Sequence, residues 1–350
     1  MRRRDGVPPL PGAPAFERLT RRLGWLAAAL LLAAVPLAAW DLQGRWRVAG
    51  RDTVTLFKLW LAWAGLCLPL LTVWAGLGLV ASRRWIERLV WLLLALGCAT
   101  GTWARLVEPH WLRVRTTAGP PAPPGAQPLR IALVADIHWG LFTRGWMQRR
   151  LVHTLGAQRV DAVFVAGDWT YDPPLDLDAG LAVWREVGVP VFAVLGNHDT
   201  GMPGPPLAAA LRAALEGHGV VLLEGRRVAF KGWELAGLDD LWGGDPQAQI
   251  ARWSPGDTGR RIVLTHQPDT TALMPAGSAR LILAGHTHGG QIRLPWLTER
   301  VLRRATRQPW WDGPYATAAG TLFVTPGIGT IGLPLRLGVP PTIDIIELGP

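Results

Sequence analysis

The nine residues VFAVLGNHD, Val191–Asp199, decide how the C-terminal part of this chain folds. Five apolar residues, a strand's length rather than a helix's, stop on a glycine and deliver Asn197, His198 and Asp199. The same layout recurs along the chain, always in the same direction. Leu129–Ala135 ends in Asp136-Ile-His138, Ala162–Ala166 in Gly167-Asp168, Ile262–Thr265 in His266, and Leu281–Ala284 in Gly285-His286-Thr-His288. Leu322–Thr325 and Ile343–Leu348 are further strand candidates, and helical patterns cover Trp146–Arg159, Leu177–Val187 and Leu207–Glu216. Strands alternating with helices predict an α/β core, whose ligands gather at the strand ends.

The residues at those ends share one chemistry. They include five of the eight histidines, with Asp136, Asp168 and Asn197. Imidazole and carboxylate without sulfur suit a borderline divalent ion such as Mn, Fe, Zn or Ni. Seven such ligands are too many for one tetrahedral site and suit two adjacent ions sharing a carboxylate. His110, His153 and His218 fall outside the pattern and read as surface or membrane-interface residues. The two cysteines, Cys67 and Cys98, lie in the N-terminal third, which leaves the rest without disulfide or thiolate metal site.

That N-terminal third is a different kind of sequence. The chain has 350 residues, 49% apolar and 18% charged, with a net charge of +10. Residues 1–115 hold 16 basic and 6 acidic side chains, so the whole excess sits there, and residues 116–350 are neutral. Apolar stretches at Leu23–Trp40, Leu56–Ala81 and Leu89–Ala104 predict about three membrane-spanning helices in an all-α region, with the bilayer as partner. Trp25 and Trp40 bracket the first, Trp85 and Trp103 the third, and Lys58 snorkels near the start of the second. A signal peptide cleaved near Leu37-Ala38-Ala39 is the alternative reading of the first stretch. Nine arginines flank the N-terminal side of the spans (Arg2, Arg3, Arg4, Arg18, Arg21, Arg22, Arg83, Arg84, Arg88) and six flank the other. That balance favours a cytoplasmic N-terminus and a C-terminal domain on the non-cytoplasmic side. Residues 116–128, TTAGPPAPPGAQP, read as a Pro-rich extended linker, which makes 129–350 a separate domain that holds the ligand set. A neutral domain argues against a nucleic-acid partner.

In order and spacing, Asp-x-His, Gly-Asp, Gly-Asn-His-Asp, a lone His and Gly-His-x-His resemble the calcineurin-like metallophosphoesterases, over about residues 129–348. The stretches Gly285–Pro295 and Gly327–Gly338 are similar to the membrane-associated YkuE/YaeI/LpxG-type branch. The resemblance implies a four-layer α-β-β-α sandwich and a metal-dependent phosphodiesterase or pyrophosphatase in a bacterial inner or plasma membrane. It implies one divalent ion on Asp136, His138, Asp168 and His288, and a second on Asp168, Asn197, His266 and His286. His198 would face the scissile phosphate, with Asp199 orienting it, and Arg293 and Arg336 would contact substrate. A lipid-linked substrate follows from the branch, UDP-2,3-diacylglucosamine being the most specific candidate. Tyr171 stands where many members carry a second Asp, and Asp172 is placed to take over its structural role. The arginines of the protein-phosphatase version are absent, which argues against a phosphoprotein substrate.

One segment adds to the lipid reading. Ile292–Trp311 has five Arg against one Glu, interleaved with Leu and Trp, and is expected to form a lip presenting lipid phosphates to the metals. A surface helix covering a sheet edge is its alternative. The competing functions are a phosphodiesterase or nuclease acting on soluble substrates and a non-catalytic membrane protein retaining the fold. The full set of ligand positions argues against the last.

Overall fold

The computed structural model describes residues 13–46, 51–253, 258–294, 296–300 and 310–349. Among them, two six-stranded mixed sheets lie face to face. The first has the order β1 (Arg113–Ala118), β14 (Thr342–Leu348), β2 (Leu129–Val134), β4 (Ala162–Ala166), β6 (Val191–Val194), β7 (Val220–Leu222). The second has the order β12 (Gly313–Ala316), β13 (Thr321–Val324), β11 (Leu281–Ala284), β10 (Arg261–Leu264), β9 (Trp233–Gly237), β8 (Arg227–Phe230). A small pair, β3 (Trp139–Gly140) and β5 (Thr170–Tyr171), runs parallel beside them.

The central strands read as unbroken apolar runs because both of their faces are covered. Ile131, Leu133, Phe164, Phe192, Leu235, Ile262, Leu264, Leu281 and Leu283 point between the sheets. Their neighbours Ala132, Val134, Val163 and Val165 point outward, against helix α5 (Gly145–Gly156) and the helical segments 177–187 and 208–217. Val263 and Ile282 meet Ile250 and Met274 over the second sheet. β2, β4, β6 and β7 run parallel, as do β9, β10, β11 and β13, so their C-terminal ends open towards one edge of the sandwich.

Edge strands, with the interior strand β9, were the part the apolar pattern did not predict. β1 pairs in parallel with β14, Arg113 opposite Thr342, although its sequence RVRTTA is largely exposed. Arg115 holds it there, reaching Asp344 at 2.6 Å and Asp312 at 2.7 Å. Residues on both sides of the expected boundary at 115, and the start of the expected linker, therefore belong to the sheet. β8 and β9 form a hairpin through Lys231 and Gly232, both at positive φ.

Among the described residues, four α-helices precede the sandwich: α1 (Ala13–Gln43), α2 (Asp52–Ala64), α3 (Leu68–Ala81) and α4 (Trp85–Thr102). α2 and α3 are joined by a 3-10 turn at Gly65–Cys67, and Pro69 at the start of α3 donates no backbone hydrogen bond. Three segments, Arg18–Gln43, Asp52–Ala81 and Trp85–His110, are long and apolar enough to cross a membrane. Cys67 and Cys98 are unpaired.

All three segments exceed the roughly 20 residues that cross the hydrocarbon, and the sandwich packs against the first two. Ala38, Leu42 and Leu59 pack with Leu141 and Tyr171. The Arg45 guanidinium donates to the Asp172 carbonyl at 3.0 Å, and Trp46 donates to the carbonyls of Pro173 and Leu175.

Candidate metal centre

The strand-end residues converge on one site. Asp136, His138 and His288 offer one ligand atom each within 4.8 Å of one another, and Asp168, His266 and His286 form a second such group. His138 Nε2 and His288 Nε2 are 3.0 Å apart, and Asp136 Oδ1 lies 3.5 Å from the latter. In the second group His266 Nε2 is 3.1 Å from His286 Nδ1 and 3.0 Å from Asn197 Oδ1. Asp168 Oδ2 lies between the groups, 3.2 Å from His266 Nε2 and 3.5 Å from His138 Nε2.

The backbone presents these side chains in a sparsely populated conformation. Asp136, His138, Asp168, His286 and His288 all have φ between 47° and 70°. Such residues persist only where their surroundings over-determine them, and they cluster at functional sites. Long-range hydrogen bonds do this here. Asp136 and His138 donate to the carbonyls of Gly167 and Asp168, and the amide of His286 donates to Asp136 Oδ2 at 2.9 Å. Two glycines allow the close approach: a Cβ on Gly196 would lie 2.2 Å from Asp168 Oδ1, and one on Gly329 would lie 2.8 Å from His138 Cβ.

Whether a cation fits can be read from the lone pairs. Hydrogen bonding to the Ala166 carbonyl at 2.8 Å makes His266 Nδ1 a donor, which turns Nε2 towards Asp168 Oδ2 and Asn197 Oδ1. Asp168 Oδ1 accepts from the His198 amide at 2.9 Å, which leaves Oδ2 to the cluster. Burial lowers His138 and His286 to about 3 and pushes His288 well below the usual imidazole range, so three of the four rings are neutral, the ligating form. Burial would lower His266 too, but the Asp168 carboxylate beside it overrides this and raises it to about 10. Asp168, itself buried, is held well below the usual carboxylate range chiefly by His266. The site demands positive charge, and nitrogen and oxygen lone pairs converge where a divalent cation would sit.

His198 belongs to neither group. Its ring lies edge-on to His138 and Tyr171, at 5.1 and 5.2 Å between centroids, and its buried Nδ1 has no hydrogen-bond partner. Asp199 does not orient it, contrary to expectation. Both Asp199 oxygens accept from the loops instead: Trp169 N, Thr170 N and Gly196 N at 3.0 Å, and Thr170 Oγ1 at 2.9 Å. Four donors around one buried carboxylate make Asp199 the tie between the loops after β4 and β6. Asp199→Ala is expected to destabilise the fold by about 3 kcal/mol or more, since each stranded donor costs roughly 1–3 kcal/mol. Unfolding of the detergent-solubilised chain would measure it, and a change below 1 kcal/mol (roughly a single surface contact) would refute the assignment.

The two arginines also differ from expectation. Arg336 is fully buried and donates to the carbonyls of Gly329, Val339 and Pro326, so it clamps the loop behind Asp136 and His138 and cannot meet substrate. Arg293 bonds to the Gly289 carbonyl at 3.0 Å and pairs with Asp312 at 3.1 Å, which ties its guanidinium to the loop after His288. Half of the expected lip, including Arg303 and Arg304, lies outside the described residues. Trp310 packs on the outer core of the second sheet rather than at a lip. His218 is buried, with Nε2 2.8 Å from the Asp178 carbonyl, rather than at the surface.

Three neighbours of the site escaped the sequence reading. Trp242 stands edge-on to His286 at 4.9 Å between centroids, and Tyr171 flanks His138 and His198. Lys58, from α2, donates to the Tyr171 hydroxyl, so it reaches the catalytic domain instead of snorkelling to water. Only the displacement of an expected Asp by Tyr171 could have drawn attention to any of them.

Comparison with known proteins agrees with this geometry. Residues 129–290 match the family model of the calcineurin-like phosphoesterases. The metallophosphoesterase YkuE of Bacillus subtilis is 27% identical over 284 residues, 76% of this chain and 97% of that protein. The phosphodiesterase YaeI of Escherichia coli is 28% identical over 233 residues, 64% of this chain and 83% of that protein. A bovine transmembrane protein with a metallophosphoesterase domain is 30% identical over 248 residues, covering 62% of this chain and 52% of that protein. With its membrane-length helices the chain is membrane-associated. Its strand-end ligands, its paired sheets and these relatives converge on one conclusion: residues 129–290 are a calcineurin-like metallophosphoesterase domain, and the protein is a metal-dependent phosphoric ester hydrolase.

Proposed function

We propose that this protein hydrolyses a phosphodiester or pyrophosphate bond in a lipid-linked substrate, using two divalent ions of the Mn, Fe, Zn or Ni class. The observation that carries the lipid reading is the seat of the site on the membrane helices. Tyr171, whose ring flanks His138 and His198, packs against Leu59 of α2 and accepts from Lys58, while the following residues bond to Arg45 and Trp46. A substrate anchored in the bilayer would arrive beside that loop.

Asp136, His138, Asp168 and His288 would hold one ion, and Asp168, Asn197, His266 and His286 the other. Bound there, the ions would supply Lewis acidity towards the phosphoryl oxygens and a nucleophile at neutral pH. The protein's own part is positional. Asp168 spans both groups, Asn197 and His266 fix the second, and Asp199 holds the loops that carry them. Burial lowers the His198 imidazole, so near neutral pH the ring is neutral and can offer one N–H to the leaving oxygen. In the order of membrane region, Pro-rich connection and catalytic domain, whose sheet also takes in residues 113–118, the membrane region sets the catalytic domain against the bilayer on the non-cytoplasmic side.

The test compares a lipid-linked phosphodiester in mixed micelles with a soluble aryl phosphodiester, on the full chain. A clear excess of kcat/KM for the lipid is expected, and equal values would overturn the lipid reading. UDP-2,3-diacylglucosamine belongs in the same assay, with a C-terminal reporter fusion to give the side of the membrane. Chelation of divalent ions is expected to lower turnover by at least about 10²-fold, with recovery on adding one of the four metals back. Turnover that survives exhaustive chelation would count against the metal reading.

A further inference from the structure

A cavity of about 200 Å³ lies outside the metal centre, between the membrane helices and the sandwich. Leu66, Arg105, Leu141, Arg144, Trp146 and Ile328 are among its walls, and none of the candidate metal ligands is. Leu66 belongs to the second membrane-length segment and Arg105 to the third, so the cavity opens where those helices meet the catalytic domain.

Its charge is unbalanced. The walls carry Arg105, Arg144 and His110, and no acidic side chain among the described residues. Asp41 neutralises Arg144 through both carboxylate oxygens, but it also pairs with Arg45 at 2.7 Å. His110 is occupied through Nδ1 by the Leu106 carbonyl at 2.9 Å. Arg105 donates from Nη2 to the Ala62 carbonyl at 2.9 Å, and its Nε is buried without a hydrogen-bond partner. No carboxylate pairs with Arg105 among the described residues. An arginine in a membrane segment with an unfilled donor calls for an anionic partner, and a planar guanidinium fork suits phosphate oxygens.

The polarity of the walls indicates the source of that anion. Leu66 and Trp146 are exposed at the cavity and present apolar surface beside the two cations. An arginine pair with apolar flanks, set between the membrane-length helices and the sandwich, has the make-up of a head-group site. We infer that the cavity bounded by Arg105 and Arg144 binds the phosphoryl group of an anionic phospholipid, as a non-catalytic site next to the loop that backs His138. Ile328 and Gly329 line it on one side, and a Cβ on Gly329 would meet the backbone of Ile137 and the side chain of His138 on the other.

The experiment uses the full chain in detergent, loaded with metal, and three probes: phosphatidylglycerol, phosphatidylcholine and inorganic phosphate. Native mass spectrometry should find phosphatidylglycerol retained in preference to phosphatidylcholine, with retention falling about tenfold in R105Q, the loss expected for one charge-assisted contact. L66W, which fills the cavity from its apolar side and touches no ion pair, should lose retention equally and covers the case in which R105Q fails to fold. Metal content should stay at the wild-type level in both variants. If inorganic phosphate raises the Tm of the wild type but not of R105Q while neither lipid is retained, the site binds phosphoryl anions from solution and the lipid source is wrong. Equal retention and equal phosphate response in wild type and both variants would overturn the site altogether.

Discussion

Asp168→Ala is expected to empty both metal groups and to lower turnover by at least about 10³-fold, some 4 kcal/mol of transition-state stabilisation. The size follows from its position. Oδ2 is within reach of both groups, 3.2 Å from His266 and 3.5 Å from His138. Oδ1 accepts the amide of His198, so the loop after β6 also loses its anchor. The loss would spread to His266, whose affinity for a cation or proton depends on this carboxylate overriding the effect of burial. Metal analysis of the purified variant, with turnover of an aryl phosphodiester, provides the check. Asp168→Asn keeps the shape and removes the charge, so it separates electrostatics from packing. A variant retaining its metal and half of its turnover would remove Asp168 from the centre of the site.

His198→Ala is expected to do the opposite to metal and nearly the same to rate. The ring contributes to neither ligand group, so both ions should remain at wild-type content. Turnover should fall by roughly 10²–10⁴-fold, the range for a positioned proton donor. The dependence on leaving group makes this specific. A p-nitrophenolate leaves without a proton, whereas an alkoxide needs one, so the defect should be much larger for an alkyl ester. Equal defects for the two esters would mean that His198 stabilises charge without transferring the proton. Wild-type turnover, or loss of metal, would refute the assignment.

The legible part of this fold was whatever is written locally. Ala162–Ala166 and Leu281–Ala284 coincide with β4 and β11 because a strand covered on both faces is an unbroken apolar run. β1, β8 and β12 were not legible, because edge strands keep polar and small residues, and β1 is also held by a partner far away in sequence. Arg115 and Asp344 stand 229 positions apart. The apolar stretch Leu56–Ala81 marked one span, whereas the 3-10 turn that divides it brings α2 against the catalytic domain and lets Lys58 meet Tyr171.

Side-chain direction marks the limit. From the sequence alone follow seven of the strands, the convergence of Asp136, Asp168, Asn197 and the histidines at strand ends, and the separation of a basic, apolar N-terminal third from a neutral catalytic domain. These depend on hydrophobic periodicity and on which residue follows each run, both local properties of the chain. Only the tertiary structure decided that Asp199 ties loops instead of orienting His198, that Arg336 is sealed behind the site, and that Arg105 borders a cavity between the membrane helices and the sandwich. Each of those residues takes its direction from backbone carbonyls, amides or helix ends contributed by other segments. Which of these lie within hydrogen-bonding distance is settled only once both sheets have closed and the sandwich has met the membrane helices.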